Sequence, residues 1–578
     1  MSLAVLVYLT LFTSQAVAVS EFSKHLLEFN DFERLSSFGI SPKCIVDITT
    51  FAVDLRTFMA TLKSCVSQGG CTAEQRETLD GKSYAAKQLD SFGKLPAGIM
   101  EMAVISPGSY IECKELVAPY ETHYCYAAIT FSNLTNSLIG QMGVKVAVCM
   151  PASCTEQDIP ILLRTVVKQT ELPLGFPYAT CVPNAVQPTL AFWIFMSFMA
   201  LFVLWAIAAS IVDYLLESRF PYEEPKSKTA PVRFFLAFSF YTNAALLLDT
   251  RPPKEGTLRS LSSIRFLSMT WVVAGHTLGQ NAFSDTMRPV LSLWNSLLST
   301  TFTNAFLSVD TFFLLSGVLV SYLFFKAPPS SRFVRSPFTW TLFYVHRYLR
   351  LTPPLMMFIE QRRGLPKVTG GAKCVYINNL FGNSAECYPI AWYLAVDTQL
   401  YIFAPIFLIT LYISPIVGGA VLILCGAASV TYTYAITYRD DLPAVVLGAF
   451  TFKKTTLFFD EYYEKPWTRC TPYLIGLGVG YLLARAKGRK PRIHGVAVLA
   501  GWITATVVAL LSLYGPHRYI KGDDDWSLFV RATFNNFSRI GWSLAVSWVI
   551  VANHLGWGVI HFTHYKFYIR VANEAIGP

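Results

Sequence analysis

Long apolar segments are the feature that most limits how this chain can fold. Nine of them follow one another, and most have the roughly 20 residues that a helix needs to cross a hydrocarbon core of about 30 Å. They cover residues 190–212, 265–283, 302–325, 339–359, 391–411, 415–436, 470–485, 493–514 and 537–556. Only 15% of the 578 residues are charged, against about 25% in soluble domains. The sequence predicts a polytopic α-helical membrane protein with about nine spans.

The net charge of +10 is carried by basic residues in segments beside the apolar stretches. The loops 326–338 and 486–492 are basic, and the positive-inside rule places such loops in the cytosol. Counting spans from a luminal amino terminus gives the same result. The loop 360–390 then lies on the luminal side, although it contains four basic residues, Arg362, Arg363, Lys367 and Lys373. We expect contacts with membrane lipids and no nucleic-acid binding.

The amino terminus has the features of a secretory signal peptide. Residues 3–12 form an apolar core, and Ala16 and Ala18 supply the small residues that signal peptidase requires. An uncleaved anchor is the alternative, and either one exports the following segment. The sequence therefore predicts a signal peptide (1–18), a luminal or extracellular domain (19–187), a first transmembrane helix (188–213), a cytosolic linker (214–263) and a transmembrane domain (264–578). The protein would reside in the plasma membrane or the endoplasmic reticulum.

The exported segment is rich in cysteine. It contains eight of the twelve cysteines, an even number that predicts disulfides without fixing their pairing: Cys44, Cys65, Cys71, Cys113, Cys125, Cys149, Cys154 and Cys181. A metal cluster is the weaker interpretation, because the segment has no CxxC pair and only two histidines, His25 and His123. Asn133, in Asn-Leu-Thr, is a glycan acceptor candidate. Cys374 and Cys387 are candidates for a fifth disulfide, and we expect a mostly helical domain.

Placing an ionisable residue inside a membrane span costs free energy, so each such residue suggests a function. Arg265 and His276 lie eleven residues apart in the second span, which places them about 16 Å apart along a helix and within about 20° of one face. Asp310 and Asp397 lie toward the luminal ends of their spans, in the same predicted layer as His276. A histidine that is oriented by a carboxylate can act as a general base. An interhelical hydrogen-bond network is the structural alternative.

Arg347 and Arg350 lie at the predicted cytosolic start of the fourth span. Three residues apart, they share a helix face, and two guanidinium groups there would clamp the phosphates of a cytosolic donor. Two positive-inside anchors are the alternative interpretation. Further along, Arg469 is followed by Gly476, Gly478 and Gly480, which we interpret as sites of close helix packing.

Together these motifs resemble the membrane-bound acyltransferase 3 family. The motifs are Arg-x10-His from Arg265, Val-Asp-x-Phe-Phe-x-x-Ser-Gly around Asp310, Arg-x-x-Arg-Leu-x-Pro from Arg347, and Trp-x-Leu-x-x-Asp-x-Gln-x-Tyr around Asp397. With the cysteine-rich domain, the chain is similar to the nose-resistant-to-fluoxetine branch of that family. Many relatives have Glu where this chain has Asp397.

The resemblance implies an O-acyltransferase that binds no cofactor. His276 would be its catalytic residue and Arg265 the motif partner. Arg347 and Arg350 would bind an acyl coenzyme A donor, and the acceptor would be a lipid or glycan hydroxyl at the luminal face. Uptake of lipids or amphipathic drugs without catalysis is the alternative. Family members have more membrane spans than the segment from Arg265 onward provides, so the resemblance also predicts that carboxy-terminal helices are missing.

Overall fold

The computed structural model describes most of the chain. The described residues are 39–94, 105–131, 144–168, 174–182, 190–219, 229–249, 257–258, 260–282, 296–327, 329–360, 376–380, 389–445, 457–486, 491 and 493–558. The signal peptide, Asn133, Cys374 and Cys387 lie outside these ranges, as does the tail after residue 558, so the predictions made for them stay predictions. The chain divides into two compact units, one formed by residues 1–186 and 275–299 and the other by residues 187–274 and 300–578.

The amino-terminal unit begins with two capped helices. Helix α1 (Pro42–Ser67) starts with proline in its first turn, and the Ser41 hydroxyl accepts from the backbone N–H of Cys44. Helix α2 (Ala73–Asp90) starts at a capping box, in which Thr72 and Gln75 bond each other's backbone N–H. Two shorter helices follow, α3 (Tyr110–Lys114) and α4 (Asp158–Lys168).

The sequence analysis missed a five-stranded sheet in this unit. Its strands are β1 (Ile105–Ser106), β2 (Thr122–Phe131), β3 (Val144–Pro151), β4 (Leu174–Gly175) and β5 (Ala179–Val182). Strand β2 pairs antiparallel with β3 on one side and with β4 and β5 on the other, and β1 runs parallel to β3. The expectation of a mostly helical domain is therefore incomplete. Strand β3 is buried along nearly its whole length and so lacks the alternation that identifies a half-buried strand.

Four disulfides confirm the predicted framework. They join Cys44 to Cys154, Cys65 to Cys71, Cys113 to Cys149 and Cys125 to Cys181. The bridges tie α1 to the loop after β3, the end of α1 to the start of α2, α3 to β3, and β2 to β5. Disulfides persist in oxidising compartments, so this unit belongs on the luminal or extracellular side.

His123 lies beside one of these bridges. Its imidazole and the sulfurs of Cys125 and Cys181 lie within 4.8 Å of one another, but both sulfurs belong to a disulfide, and metal binding requires thiolates. Burial lowers the pKa of His123 below its ordinary value. While the disulfide is formed, His123 is therefore a histidine packed against it and not part of a metal site.

The second unit is helical. Its helices are α5 (Leu190–Arg219), α6 (Ala230–Leu236), α7 (Phe240–Leu247), α8 (Ser260–Ala282), α9 (Thr300–Thr303), α10 (Leu307–Lys326), α11 (Ser331–Arg335), α12 (Pro337–Glu360), α13 (Trp392–Ile413), α14 (Pro415–Asp440), α15 (Pro466–Ala486), α16 (Gly495–Tyr514), α17 (His517–Lys521) and α18 (Leu528–Leu555). A π-helical turn, Phe458–Tyr463, precedes α15. Helix α12 contains Pro353 and Pro354 in its interior.

Each of the nine predicted spans forms a helix, but not every one of these helices is long and apolar enough to cross a membrane. Within the described residues, five helices are long and apolar enough to cross a membrane, namely α5, α10, α13, α14 and α16 extended through α17. The other four, α8, α12, α15 and α18, carry more polar residues. A sixth candidate is the pair α6 and α7, bent by 66°, which lies inside the predicted cytosolic linker.

Helices α10 and α15 form the centre of the bundle, and glycines bring their backbones into contact. A methyl group on Gly476 would lie 2.3 Å from the carbonyl oxygen of Leu314, and one on Gly480 would lie 2.3 Å from that of Val318. Gly317 faces Tyr473 from the opposite helix in the same way. The predicted role in close packing is confirmed for Gly476 and Gly480. Gly478 has open space, with its nearest neighbour 3.9 Å away.

We predict that Gly476→Ala destabilises the bundle while Gly478→Ala does not. The first substitution forces the two backbones apart, and overpacking of this kind costs about 1–3 kcal/mol. Thermal unfolding of the full chain in detergent measures the difference. Equal melting temperatures for the two variants would contradict the close contact.

Candidate active site

Two buried ion pairs organise the interior of the bundle. The first joins Asp310 on α10 to Arg469 on α15, with Arg469 Nη1 donating to Asp310 Oδ1 over 2.7 Å. Both residues are fully buried. Arg539 on α18 is also buried, and its Nε lies 3.9 Å from Asp310 Oδ2. One carboxylate therefore faces two guanidinium groups, and this set of three is called the Asp310 centre below.

Aromatic rings cover the cations of the Asp310 centre. The guanidinium carbon of Arg469 lies 4.0 Å from the ring centre of Tyr463, and that of Arg539 lies 4.2 Å from the ring centre of Tyr462. Both tyrosines belong to the π-helical turn before α15. Cation–π contacts of this kind are strongest when water is excluded, so the aromatic turn supports a charge cluster in the bundle interior.

A small cavity adjoins the Asp310 centre. It has a volume of about 30 Å³, which is room for one or two water molecules. Asn535, Ser538 and Tyr462 contribute to its lining together with Asp310 and Arg539. Asp310 Oδ2 has no hydrogen-bond partner among the described residues. A cavity of this size is too small for an acyl donor, so the Asp310 centre is better suited to holding helices than to binding substrate.

The second ion pair joins Arg347 on α12 to Asp397 on α13, where Arg347 Nη2 donates to Asp397 Oδ2. The guanidinium carbon of Arg347 also stacks 4.0 Å from the ring centre of Tyr401, whose hydroxyl donates to the Phe343 carbonyl oxygen over 3.3 Å. The sequence predicts Arg347 at the cytosolic surface and Asp397 in the luminal half. That separation is wrong, because the two side chains are in contact.

Several polar atoms at this second pair have no partner. Among the described residues, no group bonds Arg347 Nε, Asp397 Oδ1 or the hydroxyl of Tyr473. Tyr473 is 1% exposed and lies within electrostatic range of both Arg347 and Asp397. A buried polar atom left unpaired costs about 1–3 kcal/mol. This set, which is called the Arg347 centre below, therefore has donors and an acceptor available for a polar group that enters it.

Arg265 and Arg350 form a third cationic group. Arg265 on α8 lies within electrostatic range of Arg350 on α12 and of Tyr393 on α13. Tyr393 in turn lies within range of Arg347 and Asp397. No carboxylate in the described part of the chain pairs with Arg265 or Arg350. Both side chains are exposed, so each guanidinium group is accessible to an anion.

His276 lies on α8, on the face predicted from its spacing to Arg265. The helix runs without a break from Ser260 to Ala282, and the side chain of His276 is exposed. It has no hydrogen-bond partner among the described residues. The sequence analysis left open whether Asp310 or Asp397 orients His276, whereas in the structure both carboxylates bond arginines. Trp271 fixes the helix by donating to the Thr301 carbonyl oxygen over 2.6 Å.

Sequence reasoning missed three participants. Arg469 was noticed without being assigned a partner, and Arg539 and Tyr473 were not noticed as polar residues. Arg539 stands near the start of the apolar segment 537–556, and an arginine in a span was the available signal. No such sequence signal marks Tyr473, because tyrosine is common in helices that line a bundle.

Two protein families match this chain. The model of an acyltransferase domain family matches residues 258–564, and that of the amino-terminal domain of nose resistant-to-fluoxetine proteins matches residues 71–163. The chain is 27% identical to nose resistant to fluoxetine protein 6 of Caenorhabditis elegans, over 93% of this chain and 76% of that protein. It is 28% identical to regulator of hypoxia-inducible factor 1 from the same organism, over 45% of this chain and 57% of that protein. No solved structure matches.

We predict that Asp310→Asn destabilises the bundle strongly. The substitution leaves two buried guanidinium groups without a counter-charge, and breaking a buried pair in this way costs about 3–5 kcal/mol. Asp524→Asn is the matched control, because its 3.1 Å pair with Arg518 is exposed and exposed pairs contribute little. Thermal unfolding in detergent compares the variants, and a melting temperature for Asp310→Asn as high as that of the control would argue against the Asp310 centre.

Proposed function

Because the chain belongs to the membrane-bound acyltransferase 3 family, in its nose-resistant-to-fluoxetine branch, we propose that it transfers an acyl group across a membrane. The donor is an acyl coenzyme A on the cytosolic side. The acceptor is a hydroxyl group of a lipid or glycan on the luminal side. The observation that carries this proposal is that Arg265 lies within electrostatic range of Arg350, with no carboxylate paired to either arginine among the described residues.

Phosphate groups fit this pair of arginines. Guanidinium groups bind phosphate oxygens through paired, charge-assisted hydrogen bonds, and coenzyme A carries a pyrophosphate. Arg265 lies in the first turns of α8, which follow the basic linker on the cytosolic side. Of the two arginines proposed from sequence to bind the donor, Arg350 keeps that role. Arg347 is held by Asp397 and lies where it can contact a polar group that enters the Arg347 centre.

The distance along α8 fits the length of the donor. His276 lies about 16 Å beyond Arg265 along the helix axis, on the same face. The pantetheine arm of coenzyme A separates its thioester from its phosphates by a distance of this order. A donor with its phosphates at Arg265 would thus present its reactive carbonyl near His276. The exposure of His276 leaves its imidazole accessible to an acceptor.

The reaction then needs one base. The His276 imidazole takes the proton of the acceptor hydroxyl, and the oxygen attacks the thioester carbonyl carbon. The carbon–sulfur bond breaks, coenzyme A leaves as a thiolate, and the imidazolium returns the proton to that sulfur. A positioned base contributes about 10²–10⁴-fold to such a transfer.

We predict that His276→Ala lowers acyl transfer by about 10²–10⁴-fold without affecting membrane insertion. His494→Ala, which changes a histidine at the start of α16, is the control and should keep full activity. Turnover of a labelled acyl coenzyme A in purified membranes measures both. Full activity in His276→Ala would rule out the mechanism. Uptake of a labelled lipid that persists in an inactive variant would favour the carrier function instead.

We predict that Arg350→Ala and Arg265→Ala raise KM for acyl coenzyme A more than they change kcat, because phosphates far from the reacting carbon bind equally in the ground and transition states. Arg335→Ala removes the same charge from the exposed end of α11 and serves as control. Equal KM values in the three variants would show that the donor phosphates bind elsewhere.

A further inference from the structure

The helix pair α6 and α7 does not fit the expected cytosolic linker. Helix α6 has 7 residues and α7 has 8, so each rises about 10–12 Å and neither can cross a core of about 30 Å alone. The 66° bend between them leaves two arrangements. The pair either crosses the membrane as a broken span or enters and leaves by the same face.

Contacts with α5 decide the direction of α7. Phe238, at the bend, packs against Phe202 and Trp205, with ring centres 5.6 and 5.9 Å apart. A few residues later Tyr241 packs against Tyr214 at 5.6 Å. The chain therefore moves from the middle of α5 toward its carboxy-terminal end. That end is cytosolic, because α5 follows the disulfide-bonded unit, so α7 returns toward the cytosol.

Flanking charges agree with this direction. Lys226 and Lys228 precede the pair in sequence, and Arg251 and Lys254 follow it. The positive-inside rule places both flanks in the cytosol. A crossing pair would put one of them in the lumen and would also invert every later span, including the basic loops 326–338 and 486–492.

Most of the large side chains that the pair exposes are apolar, although Arg233 on α6 is exposed as well. Phe234, Phe240 and Leu247 are 63%, 76% and 86% exposed. The polar groups at the bend are satisfied internally, since the Ser210 hydroxyl accepts from the Phe240 N–H over 2.8 Å and Thr242 donates to Asp213. Backbone at membrane depth is tolerated only when its polar groups are paired in this way.

We propose that α6 and α7 form a re-entrant hairpin that enters the cytosolic leaflet beside α5 and presents its exposed apolar face to lipid acyl chains. Asp213 on α5 holds the hairpin in place, because its carboxylate accepts a hydrogen bond from Thr242. The residue is 6% exposed and lies within the candidate span Phe192–Ser218. Without Thr242 beside it, this carboxylate near the cytosolic end of α5 would lose a hydrogen-bond partner.

Cysteine accessibility tests the hairpin in the full chain. Among the described residues, the cysteines outside disulfides are Cys425 and Cys470. Both are first replaced by serine, and Ser227→Cys, Pro253→Cys or Phe240→Cys is then introduced. A membrane-impermeant maleimide is added to sealed microsomes, whose cytosolic face is outside. We expect Cys at 227 and 253 to react without detergent, and Cys at 240 to react at least tenfold more slowly than Cys at 227.

Two results would overturn the proposal. If position 253 reacts only after detergent is added, the pair crosses the membrane. If position 240 reacts as fast as position 227, the pair lies in water. Leu246→Cys is used in case Phe240→Cys alters folding. Leu246 is 65% exposed on the surface of the protein, and in the proposed hairpin its side chain faces lipid. Only variants that elute as the wild-type protein in gel filtration are compared.

Discussion

The bundle depends on a carboxylate that is removed from solvent and held by two cations. Asp310 has no exposed surface, and a charge in that position costs several kcal/mol unless it is paired. Its partners come from α15 and α18, so three helices have to meet at one height before the charge is tolerated. The rings of Tyr462 and Tyr463 then cover both cations. Charge pairing and aromatic covering together fix the register of α10, α15 and α18 more tightly than apolar packing does, because lipid competes equally well for apolar surfaces.

The same need for pairing explains why the proposed active site differs from the one inferred from sequence. Depth along each helix suggested that His276, Asp310 and Asp397 share a layer. Each carboxylate instead lies closest to an arginine, which offers a stronger interaction than a neutral imidazole. With both acids occupied, Arg265 and Arg350 have no carboxylate partner among the described residues. In the proposed mechanism, the anion that binds these two arginines belongs to the substrate.

The sequence could predict the features that depend on residues close together along the chain, and not those that depend on which distant residues meet. The apolar runs predicted that these nine segments form helices, although five of the nine are long and apolar enough to cross a membrane. The disulfide framework was predictable from the cysteine count, but the pairing of Cys44 with Cys154 was not, since it depends on the folded domain. Strand β3 was missed because both of its faces are buried. The partners of Arg347 and Arg469 could not be found either, because periodicity gives the face of one helix and says nothing about which residue of another helix meets it.

Helices α10 and α15 touch through Gly317, Gly476 and Gly480 with no layer of side chains between them. Sliding or tilting of packed helices normally occurs by small changes in side-chain rotamers, and a glycine contact has none to change. Sliding of these two helices against each other is therefore disfavoured. Displacement that admits the proposed donor would then involve helices that pack through side chains. Helix α12, which bears Arg347 and Arg350, is one such helix, and Pro353 and Pro354 in its interior interrupt its backbone hydrogen bonding and allow it to bend.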